Sequence, residues 1–169
     1  VVKDDGEPYR VFTPYKRRWL DTLRDTPAEQ YTIPLRDARF HRIDPEAIPT
    51  LQALGFHQSE VAIPPGTPDE HIIKNYHKTR DFPAQNGTTR LGIHLRHGTF
   101  SIRRAVALAR RLNDTWLNEL IWREFYMMIL ANFPHVVTRS FKPAYDHIPW
   151  LNNPEHFEAW CKGKTGYRI

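Results

Sequence analysis

A chain of 169 residues has room for one modest hydrophobic core, which points to a single domain or to part of a larger one. Hydrophobic residues make up 40% of it, and no apolar run approaches the roughly 18 residues of a membrane span, so no helical membrane segment is expected. The 24 Lys and Arg exceed the 19 Asp and Glu, giving a formal charge of +5. Such a charge suits an anionic partner such as nucleic acid, although on charge alone a solvated basic surface is the better reading.

Cys161 is the only cysteine, so no internal disulfide is available and a reducing, cytoplasmic setting is expected. The opening residues have neither an apolar core nor a small-residue cleavage site, so no signal peptide is expected. Val1 stands where a start methionine would, and the true N-terminus is expected upstream.

The first helix signal is Thr13-Pro14, a cap followed by a helix-initiating proline, and an amphipathic helix is expected from there to about Arg24. Between Asp25 and about Pro68 prolines recur at 27, 34, 45, 49, 64, 65 and 68, interrupting every helical attempt. That stretch reads as linker, with a short helix over Pro45 to Leu54. A second helix is expected over Glu70 to Phe82, followed by a turn-rich loop at 83–87. Ser101 then caps a helix whose Ile102, Ala105, Val106, Ala109 and Leu112 share one face. Its arginines 103, 104, 110 and 111 read as the solvated face.

The stretch from Thr115 to Asn132 is apolar nearly all round, with Leu117, Leu120, Ile121, Phe125, Met128 and Ile129 spread over most of its circumference. A helix of that kind is normally buried in a larger core. Yet Glu119, Trp122, Arg123 and Tyr126 fall within one arc of about 100°. A last helix is expected from Asn153-Pro154 to Gly163.

Two groups of residues have the makings of a site. Glu119 and Arg123, spaced i and i+4, are the ordinary makings of a helix ion pair. With Trp122 and Tyr126 beside them they also offer a stacking surface, a fork of donors and an acceptor, which suits a flat heteroaromatic ligand or an unstacked base. The second group is the loop Asn86 to Gly92, whose hydroxyls and backbone N–H groups are able to hold a phosphate. His94 and His97 have no Cys or carboxylate at ligand spacing, so no metal site is expected.

Taken together, Tyr76, Arg80-Asp81-Phe82-Pro83, the 87–91 run GTTRL, the 94–98 run HLRHG, the 116–126 run WLNELIWREFY and the 160–167 run WCKGKTGY resemble a known family. They look like the first half of the flavin-binding domain of class I DNA photolyases and their cryptochrome relatives, and the resemblance runs in order over about residues 8 to 169. It implies a mainly α fold: residues 1–60 as the end of an antenna domain and a linker with little regular structure, then 61–169 as the beginning of a helical FAD-binding domain.

The resemblance also implies roles. Tyr76 would contact the flavin phosphates, and Thr88, Thr89, Arg90, Leu91 and Gly92 would wrap the pyrophosphate, with Gly92 standing where the family usually has serine. Trp116 and Arg123 would complete the flavin contacts of this stretch. Glu119 and Trp122 would receive a flipped pyrimidine dimer, Arg80 and Tyr126 would contact DNA, and surface Trp150 would pass electrons. Arg168 stands at a usual proline. The expected activity is light-driven splitting of cyclobutane dimers by electron transfer from reduced FAD, by a monomer acting on damaged DNA. The alternatives are a cryptochrome-type photoreceptor without repair, or a chain inactive in isolation, because the family's remaining flavin contacts lie beyond Ile169. No antenna chromophore is implied.

Overall fold

The computed structural model describes residues 1–26, 34, 39 and 47–167. Its regular elements are helices: α1 (Phe12–Asp25), α2 (Glu70–Thr79), α3 (Gly92–Arg96), α4 (Ile102–Leu112), α5 (Asp114–Asn132) and α6 (Pro154–Cys161), with 3₁₀ turns at Pro134–Val137 and Pro143–His147. The mainly α expectation therefore holds. Among the described residues no helix is long and apolar enough to cross a membrane.

Three helix starts obey local chemistry. The Asp69 carboxylate accepts from the His71 backbone N–H at 2.8 Å and caps α2. Ser101 caps α4 as expected, accepting from the Arg104 N–H at 3.4 Å. Asn113 closes α4 and opens α5, its Oδ1 accepting from Thr115 N–H at 2.9 Å and Trp116 N–H at 3.2 Å.

α1 departs from expectation. It begins at Phe12, one residue before the anticipated Thr13 cap, and Val11 at its cap position makes no side-chain hydrogen bond. The reason is tertiary: the Phe12 ring lies flat against Trp122 of α5, with centroids 3.5 Å apart and planes 5° from parallel. Packing draws that residue into the first turn, and capping yields to it.

α2 ends at Thr79 rather than running to Phe82. The five-residue α3 was not foreseen, being too short to carry a periodic signal. The expected helix over 45–54 falls partly outside the described residues. Its described part, 47–54, is irregular until the chain folds into a turn at 51–55, where Phe56 N–H reaches Leu51 O at 2.9 Å. Arg168 also lies outside the described residues.

The chain forms two compact units, residues 1–126 and 127–169. In the first, α2 packs on α4, and α1 lies against the front half of α5. Tyr15, Trp19, Leu23, Ile73, Leu91, Phe100, Ala105, Val106, Ala109, Trp116, Leu117, Leu120, Ile121 and Phe125 are buried there. Burying each large side chain among them contributes roughly 1.5–3 kcal/mol. The arginine face of α4 is exposed, as expected: Arg104 covers the Phe100 ring at 5.3 Å, and Arg111 pairs with Glu70 at 2.6 Å. In the second unit Phe133 packs edge-on against Phe141, and Asn153 caps α6 through the His156 N–H at 3.0 Å.

Candidate functional site

The 86–92 loop is shaped by two backbone requirements. Gly87 is buried so tightly that a Cβ there would sit 2.5 Å from Thr79 O, so only glycine lets the loop lie on the end of α2. Arg90 takes a left-handed conformation, φ 52°, an uncommon state for a residue with a Cβ. That turn drops Leu91 into the core and starts α3 at Gly92.

Between this loop, the first turn of α2 and the 64–67 segment lies a cleft of about 250 Å³. Asn86, Thr88, Thr89 and Arg90 line it from the loop, Asp69 and Ile72 from α2, and Pro64, Pro65 and Thr67 from the third segment. The loop supplies hydroxyls, an amide and a guanidinium. The two prolines have no N–H and offer ring faces and carbonyl oxygens. An anion with a flat apolar portion suits such a lining, Arg90 offsetting the carboxylate of Asp69. A side chain added at Gly92 would meet no atom within 4 Å, so the serine usual in the family would fit.

Tyr76 does not line this cleft. Half-buried on α2, it has the Arg80 guanidinium 5.7 Å from its ring centre. Burial, reinforced by the charge of Glu119 and opposed by Arg80, raises the Tyr76 pKa above the usual tyrosine range. Arg80 makes a close ion pair with Glu119 and a second contact, 3.4 Å, with Asp81. The hydrogen bond to Glu119 stabilises the guanidinium in its charged form.

The stripe on α5 thus has different partners from those its spacing implied. Glu119 reaches across to Arg80 instead of along the helix to Arg123. Arg123 donates from Nη2 to Leu95 O at 3.3 Å, tying α5 to α3. Trp122 contacts both Phe12 and Tyr126, the latter ring at 5.5 Å and 22°. Tyr126 itself is exposed. Trp116, expected at the flavin, is buried in the core, and so is Leu91, so neither side chain is presented to solvent. Trp150 is exposed in the second unit.

Three residues escaped the sequence reading. Glu124 accepts from Trp19 Nε1 at 2.8 Å and from the Tyr15 hydroxyl at 3.3 Å, fastening α1 to α5. A carboxylate on an apolar helix needs donors, and Tyr15 and Trp19, one turn apart, are the signal that would have found them. Phe12 is another, and His94 is the third in the sense that the sequence weighed it only as a metal ligand. Among the described residues no group of His, Cys, Asp or Glu is arranged to hold a metal ion, and Cys161 is free and exposed.

Comparison with known proteins yields one family: the model for the FAD binding domain of DNA photolyase matches residues 116–169. Three similar proteins are each named deoxyribodipyrimidine photo-lyase. That of Halobacterium salinarum is 34% identical over 188 residues, covering 97% of this chain and 39% of the relative. Those of Vibrio cholerae and Escherichia coli are each 32% identical and cover 100% of this chain and 40% of the relative. The chain thus spans about two fifths of the length of these relatives. No solved structure matches.

Proposed function

Because the chain belongs to the DNA photolyase family, we propose that it is part of a flavoprotein that splits cyclobutane pyrimidine dimers in DNA, driven by light. The observation that carries this reading is the grouping on α5 of a rigidly backed indole, Trp122, with the carboxylate of Glu119 and the exposed phenol of Tyr126. A lesion inside a duplex must be extruded before chemistry reaches it, and stacking plus hydrogen bonds in a pocket offset the few kcal/mol of lost stacking. Trp122 would stack on the extruded bases, and Glu119 would accept hydrogen bonds from them. Arg80, one third exposed beside Glu119, would meet the neighbouring phosphate. The excess of basic residues favours the same polyanionic partner.

The cleft residues fit one part of a flavin dinucleotide. Thr88, Thr89 and Arg90 would hold its diphosphate, the glycine at 92 leaving room beside them. Leu91 and Trp116 would support the site from the core, Tyr76 and Arg123 from its edges. Bound FAD, reduced, supplies the electron that starts dimer splitting; the chain supplies orientation and electrostatics. Trp150 would pass electrons from the surface. We place the change from linker to FAD-binding domain near residue 60, and the whole protein in the cell interior as a monomer.

Two variants of the full-length protein test this. Trp122→Ala should weaken binding to dimer-containing DNA by about 1–3 kcal/mol, the loss of one stacking aromatic, with little effect on undamaged DNA. Equal loss on both would make Trp122 a core residue. Glu119→Gln should keep flavin while lowering repair per absorbed photon, because stabilisation aimed at the developing lesion anion is altered. If Glu119 serves only to pair Arg80, the variant loses stability yet repairs normally whenever flavin is retained. A photoreceptor without repair would leave dimers intact under light in both forms.

A further inference from the structure

His94 stands on α3, two residues beyond the phosphate loop, and its ring is fixed at both nitrogens. Nε2 lies 2.8 Å from Pro64 O, and Nδ1 lies 2.8 Å from Thr99 Oγ1. A carbonyl oxygen only accepts, so Nε2 carries the proton and donates to Pro64, while Nδ1 shares a second hydrogen bond with the Thr99 hydroxyl. Beside this bond Gly66 lies against the imidazole, where a Cβ would come within 3.2 Å of the ring. The 64–66 segment is therefore laid flat on His94.

Pro64 and Pro65 line one part of the cleft, and Thr88, Thr89 and Arg90 another. α3 continues directly from the second group and, through His94, grips the first. We propose that His94 is a positioning residue that clamps the proline segment to the phosphate loop and so sets the width of the nucleotide cleft. The proposal rests on reading that cleft as the place of a nucleotide diphosphate. Neither proline has an N–H with which to anchor itself, so attachment at this point falls to the Pro64 carbonyl. Holding the cleft at its binding width before the ligand arrives removes an ordering cost from binding.

The test uses the 169-residue chain with ADP as the probe, comparing wild type, His94→Ala and His94→Gln by NMR titration. Backbone ¹⁵N order parameters at Gly66 and Thr67 and thermal melts are recorded in parallel. The glutamine amide keeps a donor for Pro64 O and an acceptor for Thr99. His94→Ala is expected to lose about tenfold or more in ADP affinity and His94→Gln to recover most of it. The order parameters at Gly66 and Thr67 should fall in His94→Ala alone. A lower melting temperature with unchanged ADP affinity and unchanged order parameters overturns the proposal and leaves His94 a packing residue. If wild type itself fails to bind ADP, the nucleotide reading of the cleft falls, and the order parameters alone then decide the clamp, unchanged values refuting it.

Discussion

Glu124 is the residue whose partners weigh most per atom. Its carboxylate answers two donors on α1 that have no water to turn to, since Tyr15 is fully buried and Trp19 nearly so. Glu124→Ala strands both, at about 1–3 kcal/mol for each buried donor left unsatisfied. Glu124→Gln keeps an acceptor oxygen and should lose less; urea unfolding of the three chains gives the comparison. The same carboxylate sets a pH effect. Burial first, then the charge and hydrogen bond of Glu124, raise the Tyr15 pKa above the ordinary 10.0, and burial and Glu119 raise that of Tyr76. Both phenols stay protonated in the folded chain while the unfolded chain ionises them normally, so above pH 10 the unfolded state binds fewer protons. Their stabilising contribution is complete below the ordinary value and is lost as pH rises through the folded one. Stability should therefore fall with pH in that alkaline range, and absorbance titration should find Tyr15 and Tyr76 ionising late, with unfolding. Glu119 shows why such partners escaped the sequence: spacing reveals a neighbour one turn away, Arg123, but not Arg80, thirty-nine positions distant.

Among the elements, those with a cap and a clear apolar face were legible in advance, and the ones ruled by distant packing were not. Ser101 and the Ala105, Val106, Ala109 face announced α4, because both signals are local. Thr13 offered an equally good local signal and was overruled, since stacking of Phe12 on Trp122 extends α1 past it. Thr13→Ala should then change stability by less than about 0.5 kcal/mol, as at an ordinary surface position. Asn113→Ala should behave differently. Besides capping α5, its Nδ2 lies 3.0 Å from Lys74 O and 2.9 Å from His77 Nδ1, so one side chain joins α2, α4 and α5. Loss of the cap alone costs about 1 kcal/mol, and the bridge to α2 adds to it. Asn113→Asp keeps the cap but loses the donors; its melting temperature should fall between those of Asn113→Ala and wild type. The 86–92 loop was legible as a small-residue turn, whereas the proline segment beside it read as mere linker, because nothing local ties Pro64 to His94 across thirty residues.

At the scale of the whole molecule, the buried residues among those described all belong to the first unit, the last of them Phe125. The sequence pattern of α5 called for burial along its full length, but the helix is buried only in its front half: Met127 is 54% and Leu130 50% exposed. In the second unit Trp150, Leu151, Phe157, Trp160 and Tyr167 are exposed as well. So much uncovered apolar surface leaves that unit with little to hold it, and limited proteolysis should cut within 127–167 well before 1–26 or 70–126. The consequence for cofactor binding follows from size. Sites for drug-sized ligands occupy about 300–1,000 Å³ and enclose most of the ligand, and a flavin dinucleotide is larger than such a ligand. The cleft beside the 86–92 loop offers about 250 Å³, enough for a diphosphate and its neighbouring groups. Affinity from that part alone is too weak to hold so long a ligand through the dilution of a column. The 169-residue chain should accordingly pass through gel filtration colourless after incubation with FAD, while the full-length protein retains the cofactor. Recovery of a stoichiometric yellow complex from the 169-residue chain would show that its own residues hold the flavin and would overturn this argument from size.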